Sequence, residues 1–192
     1  METLIAIGVA IGLAAVSGLR AFLPVGLVGL AAALGFYDLP APYDVFGQPV
    51  FLVALLVFAV VESVADRIPV IDRPSDIAAL PLRILAGAAL FATATGAGLD
   101  IASLPELIAG GVTAGTVAAL KMTLRPSANV AAAGVSTPFL STTEDVVAFL
   151  GGLIAIFVPL VSLLLVAFLL YFFYRVRRRR SRKYEGLRIL GD

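Results

Sequence analysis

Four carboxylates lie close together between residues 62 and 76: Glu62, Asp66, Asp72 and Asp76. Glu62 and Asp66 are four residues apart, so they share one face of a helix. Because Glu62 lies about 18 Å along that helix from Val50, it is at least one turn inside an apolar stretch. Like charges on one face repel each other, so the pair requires a cation, a bound proton or a nearby arginine.

Basic side chains lie at breaks in other apolar stretches. Arg20 has apolar surroundings, and Lys121 and Arg125 share a face at the end of a Gly/Ala-rich helix. A charge at the bilayer centre costs at least about 2.5 kcal/mol, so such residues are normally paired or hydrated. We therefore expect basic and acidic pairs to neutralise each other across a bundle, as a structural device or as the lining of a polar cavity. The candidate ion- or substrate-binding residues are Arg20, Glu62, Asp66, Asp72, Asp76, Arg83, Lys121, Arg125, Glu144 and Asp145.

Some of these residues also have simpler interpretations. Asp72 and Arg73 are compatible with a solvated interfacial loop, and Asp76 is favourably placed at a helix N-terminus. The run from Ser141 to Glu144 fits a capping box that would open the last helix.

The amino-acid composition excludes several kinds of catalytic and metal-binding site. The chain has no cysteine and no histidine, which excludes disulfides, thiolate nucleophiles, imidazole ligands and a Ser-His-Asp triad. No catalytic residue is assigned, and an enzyme is the less favoured class. No cofactor is expected, apart from a divalent cation that Glu62, Asp66, Asp72 and Asp76 could hold.

The elements that carry these residues are strongly apolar. Of 192 residues, 60% are hydrophobic and 14% are charged, against about 25% charged in an average soluble domain. The mean hydropathy is +1.04. A compact soluble protein of this size could not bury that much apolar surface, so we predict an integral membrane protein.

Charge is divided unevenly along the chain. Residues 1–174 carry a net charge of −5 and residues 175–192 a net charge of +6. An aromatic run followed by a cluster of arginines is typical of the cytoplasmic end of a membrane helix. We therefore predict a basic cytoplasmic tail that contacts anionic lipids and binds no nucleic acid. Its lipid-contact residues are Arg175, Arg177, Arg178, Arg179, Arg180, Arg182 and Lys183.

Apolar periodicity and proline positions predict an all-α polytopic bundle with about four to six membrane helices and broken or re-entrant segments. The first apolar stretch is too long for one crossing and breaks at Arg20. The last helix would be about 50 Å long if straight, so it must tilt, kink at Gly151-Gly152 or Pro159, or project from the bilayer. The predicted helices are 4–17, 22–35, 50–66, 76–97, 105–123 and 142–174, with a loop over 69–75 and irregular structure over 126–142.

A weak internal repeat is visible in the helical domain, residues 1–174. Gly8-xxx-Gly12 precedes Arg20 much as Gly111-xxx-Gly115 precedes Arg125. The repeat halves would be 1–98 and 105–174, an arrangement common in transporters, although chance similarity in Ala/Gly-rich sequence is a serious rival. The Gly-xxx-Gly pairs allow close helix approach, within the chain or between copies in a homo-oligomer.

Three motifs resemble a known family. They are Glu62-x-x-Ala65-Asp66-Arg67-x-Pro69-x-x-Asp72-x-x-x-Asp76, Gly18-Leu-Arg20-Ala-Phe22-x-Pro24 and Ser141-x-x-Glu144-Asp145-x-x-Ala148. They look like a family of small bacterial multi-pass membrane proteins known as a domain of unknown function, over roughly residues 5–165. The chain departs from that pattern at Ser75, Arg83-Ile84 and Thr137-Pro138. The resemblance implies the architecture and the motif residues but no activity.

Four functions remain open. The leading hypothesis is a small transporter or permeation module for an ion or a small polar or anionic solute, located in a bacterial inner membrane. The alternatives are a protein that binds or flips phospholipid or polyprenyl phosphate, a metal-dependent membrane enzyme, and a non-catalytic scaffold.

Overall fold

A computed structural model describes residues 2–68, 72–131, 136–168, 170–171 and 174–175, and the side chains of 72, 73, 124–131, 136–138 and 140 lie outside that description. Within these ranges the chain is helical and has no strand, as predicted. The helices are α1 (Glu2–Leu19), α2 (Phe22–Ala33), α3 (Pro49–Ala65), α4 (Asp72–Thr95), α5 (Leu104–Ala131), α6 (Ser136–Phe157) and α7 (Pro159–Phe168).

Several of these helices are suited to a bilayer. Three are long and apolar enough to cross it, at Glu2–Leu19, Pro74–Thr95 and Ile101–Thr123, and α2, α3 and α7 are shorter apolar helices. The outer surface is apolar as well: Val53, Val57 and Val61 of α3 are all more than half exposed. Large apolar side chains exposed along an apolar helix are suited to contact with lipid rather than with water. The chain is therefore an integral membrane protein.

Helix α1 is the centre of the bundle and packs against α4, α5 and α6. Small residues let the backbones come close: a Cβ on Gly18 would lie 2.4 Å from the backbone oxygen of Ala114, and one on Gly110 would lie 2.4 Å from that of Gly87. Membrane helices associate through such close packing, because lipid supplies no hydrophobic driving force.

The Gly-xxx-Gly pairs face helices of the same chain. A Cβ on Gly8 would lie 2.7 Å from the Pro159 backbone oxygen, and one on Gly12 would lie 2.7 Å from Ser162 Oγ. On α5, the nearest side chain to Gly111 and Gly115 is Ile84. These faces are thus occupied within the monomer, and homo-oligomerisation stays a prediction, as do the two-fold repeat and the domain division.

Three predicted boundaries are wrong. Helix α5 continues through Pro126 to Ala131, because a membrane helix can pass a proline when neighbouring groups satisfy the freed carbonyl. Helix α4 begins at Asp72, so the preceding loop is shorter than predicted. Helix α6 begins at Ser136, which places Ser141 inside the helix and not at its N-cap.

The predicted long last helix is interrupted at Val158, next to Pro159. Val158 N–H donates to Ile154 O at 2.8 Å, and Val158 O accepts from Val161 N–H at 3.0 Å. Pro159 cannot donate a backbone hydrogen bond, so the ladder stops there. Helix α7 then folds back beside α6. This is seen from its Leu165 and Phe168, which line the same cavity as Leu19 of α1 and Val147 of α6.

The two ends of the bundle have different polar groups. Arg20, the end of α3 and the start of α6 lie at one end, which we call the ionic end. At the other end, Tyr43 donates to Gly98 O at 3.1 Å, tying two connections together. There the Ser103 side chain donates a hydrogen bond to Asp100, which lowers the pKa of that carboxyl.

Candidate functional site

Charged side chains carried by four helices, α3 to α6, and by the α1–α2 junction meet at the ionic end. We call this set the ionic network; its members are Arg20, Glu62, Asp66, Asp76, Arg83, Lys121, Glu144 and Asp145. Eight of the ten candidate residues from the sequence thus converge. The side chains of the other two, Asp72 and Arg125, lie outside the described residues, and so does the tail from Arg177 to Lys183.

Arg20 connects the break after α1 to α3 and α6. Its Nη1 lies 2.6 Å from Asp66 Oδ2, and its Nε lies 2.7 Å from Asp145 Oδ1. Its Nη2 donates to Ser141 Oγ at 2.9 Å and to Ser141 O at 3.2 Å. Ser141 therefore binds Arg20 and does not cap a helix, which corrects the predicted capping box.

Glu62 caps the beginning of α2. Its Oε2 accepts the backbone N–H groups of Ala21 at 3.0 Å and Phe22 at 3.3 Å. These groups have no helical partner at a helix start, and the helix dipole favours a negative charge there. Arg83 Nη2 lies 3.3 Å from Glu62 Oε1 and completes the neutralisation. Of the three expected ways to neutralise the Glu62–Asp66 pair, a cation, a bound proton or a nearby arginine, the structure shows arginines beside both carboxylates.

Arg83 and Lys121 bring α4 and α5 into the network. Arg83 Nη1 lies 2.9 Å from Asp76 Oδ1, and its Nη2 lies 3.8 Å from Asp66 Oδ2. Lys121 Nζ lies 3.3 Å from Asp66, 3.0 Å from Asp76 and 3.1 Å from Glu144. It also donates to Leu19 O at 3.2 Å. The acidic and basic pairs do neutralise each other across the bundle, at least through Lys121.

The solvent exposure of the charged side chains increases from the centre of the network to its edge. The Arg20, Asp66 and Arg83 side chains are at most 1% exposed, whereas Asp145 is 21% and Arg67 47% exposed. Asp145 Oδ2 accepts from Ser63 Oγ and lies 3.3 Å from Arg67 Nη2. Buried pairs cost desolvation and require complete partners, while the half-exposed rim is available to bind something else.

A cavity of about 610 Å³ opens beside this rim. Its polar wall is formed by Arg20, Ser63, Arg67 and Asp145. Its remaining walls are apolar residues from the start of α2 and from α3 and α6, namely Leu23, Leu56, Ala59, Val60, Val64, Val146, Phe149 and Leu150. We call this cavity the α3–α6 groove. Most of its apolar side chains are exposed on the outside of the bundle, so the groove faces the bilayer.

Sequence reasoning missed four participants. Arg67, Ser63, Ser75 and Ser141 were not among the candidate residues, although Ser75 Oγ donates to Asp66 Oδ1 at 3.0 Å. Arg67 and Ser63 each stand next to a candidate acid in the sequence, and Arg67 also belongs to the first family motif; these are the signals that could have found them. Arg175 is exposed and donates to the Tyr171 hydroxyl at 3.0 Å.

The carboxylates of the network face cations of the protein itself. Within the described residues, no three His, Cys, Asp or Glu side chains are arranged to hold a metal ion. Asp66 and Asp76 contact arginine and lysine instead. A divalent cation at Glu62, Asp66, Asp72 and Asp76 therefore stays a prediction.

Similarity to other proteins places the chain in a family. It matches DUF4126, described as a domain of unknown function, over residues 7–179, and it belongs to that family. This confirms the resemblance inferred from the motifs. No curated protein and no solved structure shows significant similarity to the chain.

Proposed function

We propose that the protein is a small transporter that takes its substrate sideways from the bilayer, and that the substrate is a membrane lipid. The α3–α6 groove carries this proposal, because it joins an apolar wall to an ionic rim within one cavity of about 610 Å³. An acyl chain would lie along Val60, Val64 and Phe149, and the headgroup would lie against Arg67 and Asp145.

The chemistry of the walls favours a lipid over a small ion. A small ion would lose hydrating water molecules in this groove, and the leucine, valine and phenylalanine side chains offer no ligand to replace them. An amphiphile satisfies both parts of the groove, because its tail remains in an apolar medium while its headgroup meets charge. Helix α3 packs mainly against α2, which leaves the side toward α6 open to lipid.

The buried network gives this groove a fixed frame. Arg20 holds the α1–α2 junction to Asp66 beside α3 and to Asp145 and Ser141 of α6. A headgroup that bound Asp145 would compete directly with Arg20 and Arg67 for that carboxylate. Lipid binding in the groove would thereby change the contacts through which Arg20 holds the helix ends together.

The test is transbilayer movement of a fluorescent phospholipid. Vesicles carrying the label in both leaflets are treated with dithionite, which bleaches only the outer leaflet unless lipid moves across. We expect vesicles containing the full chain to bleach well beyond the outer-leaflet fraction, in proportion to protein content. Bleaching that stops at the same level as in protein-free vesicles contradicts the proposal and favours the scaffold.

A second candidate is ion or proton transport, and the contacts of Lys121 favour it. Lys121 connects the buried Asp66 and Asp76 to Glu144, which is 15% exposed. Such chains of ionisable groups inside membranes commonly relay protons or ions. Vesicles loaded with a pH-sensitive dye and given a potassium diffusion potential distinguish this candidate, since lipid movement alone leaves the internal pH unchanged.

We also propose that the ionic end faces the cytoplasm and that the protein lies in a bacterial inner membrane. Among the Lys and Arg side chains that the structure describes before residue 175, Arg20, Arg83 and Lys121 belong to the ionic network and Arg67 to its rim. The acidic residues of the opposite end are Glu2, Asp38, Asp44, Asp100 and Glu106. Basic residues mark cytoplasmic loops. Since α7 returns toward the ionic end, we place Arg175 on that side, where the basic residues that follow it in sequence would meet anionic lipid.

A further inference from the structure

We infer that the rim of the α3–α6 groove selects a headgroup bearing both a phosphodiester and a primary ammonium, as phosphatidylethanolamine does. The inference rests on the proposed function and names its substrate class. It is carried by the juxtaposition of one available cation, Arg67, and one partly exposed anion, Asp145, at the polar end of an apolar groove.

Arg67 is the group that would take the phosphate. Its side chain is 47% exposed, and only Nη2 is engaged, at 3.3 Å from Asp145 Oδ2. The other guanidinium N–H groups make no hydrogen bond within the described part of the chain. A guanidinium offers several donors in a plane that matches two phosphate oxygens. Arg20, by contrast, is 1% exposed and is engaged through all three of its nitrogens.

Asp145 makes a purely anionic headgroup a poor match. A phosphate bound to Arg67 would stand beside the Asp145 carboxylate, and like charges at that separation repel. A headgroup ammonium placed on Asp145 removes the repulsion and adds a charge-assisted hydrogen bond. Ser63, which already donates to Asp145 Oδ2, fixes the carboxylate in position.

The charges around the rim support a headgroup of zero net charge. Arg20 and Arg67 contact Asp66 and Asp145, and Asp66 is shared with Arg83 and Lys121, so positive charge at the rim is already matched by carboxylates. A zwitterion preserves that balance, whereas a singly charged anion adds an uncompensated negative charge in a medium of low dielectric constant. The number of N–H donors then distinguishes a primary ammonium headgroup from a trimethylammonium headgroup, because the trimethylammonium group has no N–H to donate to Asp145.

The test is equilibrium lipid retention by the full chain, measured by native mass spectrometry. The protein is extracted from vesicles with equal parts of phosphatidylethanolamine, phosphatidylcholine and phosphatidylglycerol. We expect phosphatidylethanolamine to be retained at least about fivefold over each of the others, which corresponds to about 1 kcal/mol. A series with one, two and three N-methyl groups should show retention falling stepwise as the N–H donors are lost.

Two variants locate the site. Arg67→Gln should lower retention of all three lipids, and Asp145→Asn should remove the preference for phosphatidylethanolamine over phosphatidylglycerol. The matched control Asp44→Asn, at the opposite end of the bundle, should retain the wild-type pattern. The methylation series uses only the wild-type chain, so it decides the matter even if a variant does not fold.

Equal retention of the three lipids, or a preference for phosphatidylglycerol, overturns the inference. The result is independent of transport: selective retention without transbilayer movement contradicts the proposed function alone. Movement without headgroup selectivity contradicts this inference alone.

Discussion

Arg20 Nη1 lies 2.6 Å from Asp66 Oδ2, and both side chains are almost completely buried. One residue interrupts the first apolar stretch and the other directly follows α3, so this ion pair joins two helix ends that are distant in sequence. Buried charges of this kind persist only where each has its partner. The relationship explains why an arginine can stand in the middle of an apolar segment.

Replacing Arg20 with methionine should destabilise the protein by about 3 kcal/mol or more, because it removes the shortest ion pair of both Asp66 and Asp145. Unfolding in mixed micelles with increasing sodium dodecyl sulfate measures the loss. The double variant Arg20→Met, Asp66→Leu should lose less than the sum of the two single variants. Strict additivity would show that the two side chains are not coupled.

Glu62→Gln tests the cap on α2. Glutamine keeps the size and one acceptor oxygen but loses the charge that the Ala21 and Phe22 N–H groups and Arg83 bind. We expect a loss of about 1.5–3 kcal/mol, measured by the same unfolding titration. Glu106→Gln, at the opposite end, serves as the control, and an equal loss there would remove the special role of Glu62.

Much of the fold was predictable from local pattern. The break at Arg20, a helix over about residues 50–66 and the need for a cation, a proton or an arginine beside Glu62 and Asp66 all follow from apolar runs and charge spacing. These features depend on neighbours in sequence, and the structure confirms them. The sequence does not predict which charged residue pairs with which, because an apolar helix carries little information about the helix that packs beside it.

Ser141 illustrates why the remainder was missed. Its position three residues before Glu144 matches a capping box, yet α6 begins five residues earlier and the hydroxyl accepts from Arg20. A hydroxyl serves equally as a helix cap or as a partner for a distant guanidinium, and only the tertiary arrangement decides between them. Arg67 was overlooked for a related reason, since an arginine in an interfacial loop usually faces solvent.

Close packing of α4 and α5 predicts a sharp difference between two glycines of the same helix. A Cβ on Gly110 would lie 2.4 Å from Gly87 O, whereas one on Gly115 would meet only Ile84 at 3.5 Å. Gly110→Ala should cost about 2 kcal/mol or more from overpacking. Gly115→Ala should be neutral or stabilising by up to about 1 kcal/mol. Unfolding titrations of the two variants check this, and equal effects would contradict the packing.

The proposed orientation predicts opposite labelling of the two ends. The chain has no cysteine, so single replacements report unambiguously. In intact cells, a membrane-impermeant maleimide should label Asp44→Cys and should reach Arg175→Cys only after lysis. The reverse pattern would invert the orientation, and labelling of both in intact cells would place the two ends on one side.

The most direct test of the groove is the rate of phospholipid movement in vesicles containing Ala59→Phe. Ala59 lines the α3–α6 groove, and Val61 lies on the same helix, exposed but outside the groove. Phenylalanine at position 59 should slow dithionite bleaching about tenfold, an added barrier of about 1.4 kcal/mol. Val61→Phe should keep the wild-type rate. Equal rates for wild type, Ala59→Phe and Val61→Phe would contradict passage of lipid through this groove.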